Sequence, residues 1–117
     1  MNAEELRDYC LALGSGVEEK MPFQAFRAAA GVLAFYVSGH MFCYFDLDHF
    51  GTVNLKCAPD RIAELRERHP FISAPYNLSP RHWIGVDATQ APDSLLQTLV
   101  DDSYALVIKQ YTRRRGR

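Results

Sequence analysis

The sequence predicts an α+β domain: an antiparallel sheet of about five strands with helices at the N-terminus, between strands four and five, and at the C-terminus. Two observations carry this. Two apolar, β-branched and aromatic runs, residues 32–37 and 40–45, flank the two-residue connection Ser38-Gly39, which is the pattern of a hairpin. Amphipathic stretches near residues 2–13, 59–69 and 91–111 carry helix start and stop signals. No repeat and no linker divides them, so residues 1–112 read as a single domain followed by a basic tail at 113–117.

Taken in order, Asn2 with Glu5 three residues on fits a capping box, and Leu6, Tyr9, Cys10 and Leu13 follow a helical stripe. Gly14 and Gly16 stop that helix. Residues 22–27 suggest a short edge strand, and Ala28-Ala29-Ala30-Gly31 a turn. After the hairpin, residues 46–51 form a longer turn and residues 52–57 a further strand. Strict alternation then places Met41, Cys43 and Phe45 on one face with Val53 and Leu55. It places Phe42 and Tyr44 on the other, beside Asn54 and Lys56. A helix laid on that second face would bury it; left open, it would offer aromatic and basic groups to a ligand or a second copy.

Pro59 opens the next helix, with Ile62 and Leu65 inward and a charged outer face on which Glu64 and Arg68 stand at i,i+4 spacing. His69-Pro70 stops it. The long connection at residues 70–83 holds Pro70, Pro75 and Pro80 at five-residue spacing and leads into a strand that starts at Trp83, the sole tryptophan. Long loops in small domains are often functional. Ala91-Pro92-Asp93 opens the last helical region, and Asp101-Asp102-Ser103 breaks its stripe as the cap of a second helix would.

Charge narrows the function. The chain has 117 residues and a net charge of −1, but residues 105–117 hold Lys109, Arg113, Arg114, Arg115 and Arg117 with no acid. The rest is therefore acidic, which excludes a globally basic nucleic-acid binder and leaves a local patch plus the tail. Three cysteines, none in C-x-x-C spacing, suit reduced thiols in a cytoplasm rather than a disulfide framework. No apolar run reaches the length of a membrane span, and the acidic, polar N-terminus is unlike a secretory signal.

Catalytic and metal motifs fail on spacing. Asp46-x-Asp48-x-x-Gly51 begins like a calcium loop, but Phe50 and Cys57 stand where oxygen ligands belong, so a β-turn closed by Asp side chains is expected. His40, Cys43, His49 and Cys57 match no zinc spacing. No nucleophile–base constellation, Walker or Rossmann pattern is present, so neither an enzyme nor a cofactor is expected. Arg81-His82-Trp83 is the most chemical triplet: two groups able to hold an anion beside a ring able to stack. The alternative is that Trp83 fills the core while Arg81 and His82 face solvent.

Val53-Asn54-Leu55-Lys56, Pro59 with its amphipathic helix, Pro75-x-x-Leu78, Arg81-His82-Trp83-Ile84 and Ser103-Tyr104-x-Leu106-Val107 occur in an order and spacing that resemble the MmcQ/YjbR family of small bacterial proteins. Glu4-Glu5-Leu6 and Pro22-Phe23 agree as well. The resemblance implies a compact CyaY-like or secretion-chaperone-like fold. It also implies a DNA-binding label, drawn from a proposed double-wing arrangement of β loops. Relatives in antibiotic-resistance settings imply a second role, sequestering a small molecule. Two positions depart from the family pattern: Asn77 stands where His is frequent and His40 where Lys is frequent, which removes positive charge.

The expectation is thus a non-enzymatic binding protein with DNA as the implied ligand. Lys56, Arg81 and His82 would contact phosphates, with Arg113, Arg114 and Arg115 adding attraction. Tyr76 or Trp83 would stack, and Asn77 would border the site. The rival is a module that binds a planar small molecule or a protein through an aromatic sheet face. No membrane partner is expected, and the state is a monomer or a weak homodimer.

Overall fold

The computed structural model describes residues 1–27, 30–75 and 78–115, with residues 112–115 as backbone. Three helices and six strands follow in the order α1 (Ala3–Leu11), β1 (Glu18–Lys20), β2 (Val32–Val37), β3 (His40–Asp46), β4 (Thr52–Lys56), α2 (Pro59–Arg68), β5 (Ile72–Ser73), β6 (Trp83–Asp87) and α3 (Asp93–Arg115). The strands form a single antiparallel sheet in the order β1-β2-β3-β4-β6-β5.

Local chemistry explains most of these elements. At α1, the Glu5 N–H donates to Asn2 Oδ1 (2.8 Å) and the Asn2 N–H donates to Glu5 Oε1 (2.9 Å), the reciprocal cap the spacing predicts. Pro59 sits in the first turn of α2, and the helix ends at His69, whose N–H reaches Leu65 O. Ser38 and Gly39 both take positive φ, at 53° and 78°, so the hairpin turn is of the primed kind whose twist matches the strands. Asp46 Oδ1 accepts the N–H groups of Asp48 (2.9 Å) and His49 (3.1 Å), closing the β3–β4 turn as an Asx turn.

The sheet of about five strands holds, and three finer expectations are corrected. Residues 22–27 form turns, and the edge strand is Glu18–Lys20 just before them. Ile72–Ser73 adds a sixth strand, which at two residues is too short to show a period. Ala28 and Ala29 of the expected turn lie outside the described residues. The last helix runs unbroken through Asp101, Asp102 and Ser103. Each of those polar residues has a partner on another element: Asp101 accepts from Tyr9 Oη (2.7 Å), Asp102 from Arg61 Nη1 (3.0 Å), and Ser103 Oγ donates to Phe42 O (2.6 Å).

The third correction concerns the hairpin. Phe35 pairs with Cys43 but Tyr36 pairs with Met41, so Phe42 is an extra residue, a β-bulge. The slip turns two consecutive side chains towards the helices. Cys43 Sγ lies 4.0 Å from Cys10 Sγ on α1, and the Phe42 ring stands edge-on to Tyr104 on α3, centroids 5.4 Å apart. Phe42 is fully buried in the core with Leu33, Phe35, Phe45, Val53 and Leu55, not on the Tyr44 face. The Ser103 bond takes up the carbonyl of the bulge residue itself. Ser103→Ala is expected to cost about 1–2 kcal/mol, because it leaves a buried carbonyl unpaired. A lower urea midpoint at unchanged slope is the readout, and an unchanged midpoint would contradict it.

Candidate binding surface at the β4–α2 junction

Helix α3 packs on β2, β3 and β4, and α2 packs on β5 and β6. The start of α2 therefore lies where β4 ends and β6 begins. The Cys57 N–H donates to His82 O (2.9 Å), tying the turn before β6 to the entry of α2, and Lys56 pairs directly with Trp83 across β4 and β6. The sheet thus brings the backbones of four expected site residues, Lys56, Arg81, His82 and Trp83, to one place. Tyr76 and Asn77 lie outside the described residues, as do the side chains of Arg113, Arg114 and Arg115. The backbone of these three arginines continues α3.

Two grooves flank α2. One, of about 240 Å³, lies between α2 and α3 and is lined by Lys56, Cys57, Arg61, Asp102 and Lys109 among others. The second, of about 440 Å³, lies between α2 and the turn before β6, with Arg66 and Arg81 facing it across Pro59 and Ile62. Together the linings carry Lys56, Arg61, Arg66, Arg81 and Lys109 against a single carboxylate, Asp102. Asp102 pairs with Arg61, leaving Lys56, Arg66, Arg81 and Lys109 without an ion-pair partner among the described residues. The N-cap of α2 is Ala58, which makes no side-chain cap, and Asp60 in the first turn offsets the positive end of the helix dipole there. Lys56 does not stay with Asn54 as alternation predicts. Its ammonium reaches α3 and lies 5.5 Å from the centre of the Tyr111 ring, which also stacks on His40 with centroids 3.4 Å apart.

Sequence reasoning missed Arg61, Arg66 and Lys109, because charged residues on helix faces read as solvated surface until the packing of α2 beside α3 is known. Ser103, which the sequence offers as part of a helix cap, is fully buried. His82 is exposed and adds its backbone rather than its ring to the junction.

Cys43 and Cys57 are not poised for nucleophilic work. Burial pushes Cys57 up despite the lowering influence of Arg61, and burial with the neighbouring Cys10 pushes Cys43 up further. Among the described residues no group of three or more His, Cys, Asp or Glu side chains is arranged to hold a metal ion, and no helix is long and apolar enough to cross a membrane.

The opposite face of the sheet has a different character. Alternation and register align Lys20, Ala34, Tyr44, Asn54, Gly85 and Ser73 in one row across it. Trp83 is buried as expected, but on this face, edge-on to Tyr44 with centroids 6.4 Å apart. A Cβ on Gly85 would lie 3.2 Å from Ala74 O, so glycine is what allows the chain after β5 to cross so closely. Asn54 is 4% exposed and its Oδ1 has no hydrogen-bond partner among the described residues. Asn54→Leu is therefore expected to leave stability unchanged or to raise it by up to about 1 kcal/mol. A thermal melt showing a clear loss would mean that Oδ1 is paired in solution.

A family model, YjbR, matches residues 14–106. The chain belongs to the YjbR family. A crystal structure of a Deinococcus radiodurans protein, DR2400, assigned to the domain family DUF419, superposes with a TM-score of 0.81 at 31% identity, covering 92% of this chain and 79% of that one. A Pseudomonas syringae structural-genomics target shares the fold at 21% identity. Its crystal structure gives a TM-score of 0.74 over 91% of this chain and 98% of that one, and its solution NMR structure 0.70 over 91% and 92%. No curated protein matches. The expected YjbR resemblance and the α+β fold thus both hold, and the span matched contains Lys56, Arg61, Arg66, Arg81 and His82 but ends before Lys109.

Proposed function

We propose that this YjbR-family chain is a non-enzymatic binding domain that docks DNA by its phosphate backbone at the β4–α2 junction. The observation that carries the reading is the surplus of five cations over one carboxylate in the two grooves beside the start of α2, within an otherwise acidic chain. Phosphate oxygens suit such a surface, because Arg and Lys donate to them. The basic residues at the end of α3 lengthen the attraction. Phosphate contacts alone give weak, salt-sensitive binding with little sequence preference. The protonated thiols fit a role without covalent chemistry and a reducing cytoplasm.

Titration of labelled duplex and single-stranded DNA by fluorescence anisotropy tests the reading. The expected Kd at low salt is on the order of 10 μM, and log K falls against log salt with a slope of about −3 to −4 for duplex DNA. No binding at low salt would remove it. A second reading, a site for a planar small molecule on the Tyr44–Trp83 face, is favoured by the unpaired Asn54 Oδ1.

A further inference from the structure

The groove between α2 and α3 is polarised along its length. On α3, Asp102, Ala105, Leu106 and Lys109 follow at three- and four-residue spacing and share the face that lines it. Asp102 and Lys109 are separated by about 10 Å of helix. At the Asp102 end the charge is closed, because Arg61 Nη1 donates to Asp102 Oδ2 at 3.0 Å. At the Lys109 end it is open. Lys56 sends its ammonium to Tyr111, two residues from Lys109, and neither lysine has an ion-pair partner among the described residues. Between the two ends the lining is apolar: Leu106 and Ala105 on the helix, with buried Ile84 and Cys57 on the sheet side. A phosphate backbone engages the cationic end and leaves this apolar middle without a partner. The complement of the whole groove is a slim apolar body with an anion at one end. Its volume, about 240 Å³, is that of about eight water molecules, which admits one small ring system.

We propose that the α2–α3 groove binds a small aromatic carboxylate. The carboxylate lies at the open end and accepts from the ammonium groups of Lys56 and Lys109. The ring system covers Leu106 and Ala105, with its far edge toward the Arg61–Asp102 pair. A rigid ring fills the space without the rotor entropy that an acyl chain of the same size would lose. The binding stands on the groove alone. Its consequence rests on the DNA reading above: Lys56 and Lys109 cannot serve this carboxylate and a phosphate together, so the ligand displaces DNA and places the junction under small-molecule control.

The test first titrates the full chain, without DNA, with 2-naphthoate, its neutral amide 2-naphthamide and inorganic phosphate at fixed ionic strength, followed by NMR. Naphthoate is expected to bind with a Kd on the order of 1 mM or below, as a fragment-sized ligand does. Its shifts centre on Ile84, Ala105, Leu106 and Lys109, and the amide and phosphate each bind roughly tenfold more weakly. Cys57 supplies a second readout. It is 7% exposed while Cys10 and Cys43 are 0% exposed, so alkylation by iodoacetamide reports on the groove and slows severalfold at saturating naphthoate. Lys109→Ala removes the advantage of the acid over the amide, and Leu106→Gln weakens both aromatic probes but not phosphate. Equal binding of acid and amide, phosphate as tight as naphthoate, or shifts centred outside the groove overturns the site. Should Leu106→Gln not fold, Lys109→Ala decides, since Lys109 is exposed. Labelled duplex is then added at low salt, and saturating naphthoate is expected to raise its apparent Kd severalfold. Duplex binding unchanged by bound naphthoate overturns the competition. Naphthoate binding without any duplex binding keeps the site and removes the DNA reading, whereas duplex binding without naphthoate binding does the reverse.

Discussion

Replacing Phe42 with alanine is expected to destabilise the protein by about 3–5 kcal/mol, lowering the thermal midpoint by on the order of 15 °C. Met41→Ala should cost less than about 1 kcal/mol. The pair is diagnostic because strict alternation predicts the reverse, with Met41 in the core beside Cys43 and Phe42 on the other face. The bulge makes Phe42 a fully buried ring packed on Tyr104, with its carbonyl taken by Ser103, and leaves Met41 partly exposed opposite Tyr36. Equal losses in the two variants would mean that the register slip is absent in solution.

The second large effect concerns binding. The double variant Lys56→Ala, Arg81→Ala removes one unpaired cation from each groove without touching an ion pair of the fold. It is expected to weaken duplex DNA binding by roughly tenfold to thirtyfold, about 1.4–2 kcal/mol, and to flatten the salt slope by about 2. Lys56 also lies over the Tyr111 ring, so a small loss of stability accompanies the change. Arg68→Ala is the matched control: Arg68 pairs with Glu64 on an exposed face of α2 and lines neither groove. It should bind DNA as the wild type does.

These two predictions mark where the sequence is legible and where it is not. The hairpin, the α1 capping box and the Pro59 helix start are encoded by residues within a few positions of one another, so they can be read directly. The bulge at Phe42 has no local mark such as glycine or proline. It is supported by packing on Tyr104 and by a bond to Ser103, 61 positions away. The unbroken course of α3 was hidden for the same reason. Asp101 and Asp102 look like a helix boundary until Tyr9 on α1 and Arg61 on α2 are seen to receive them. Of the candidate site, the strand and loop members Lys56, Arg81, His82 and Trp83 carried a motif signal. Arg61, Arg66 and Lys109 did not, because only the docking of helices beside the β4 end brings them to the grooves. Asn54 was visible as a polar residue in a strand, but its missing partner is a property of the folded sheet.

The most direct test of the account is an amide and side-chain NMR map of the protein titrated with a short DNA duplex at low salt. The account predicts that the shifts concentrate at Lys56, Arg61, Arg66, Arg81 and Lys109 and fade as salt is raised. Shifts centred instead on the groove beside α1, where Glu4, Asp8 and Glu19 stand, or no shifts at all, would contradict it.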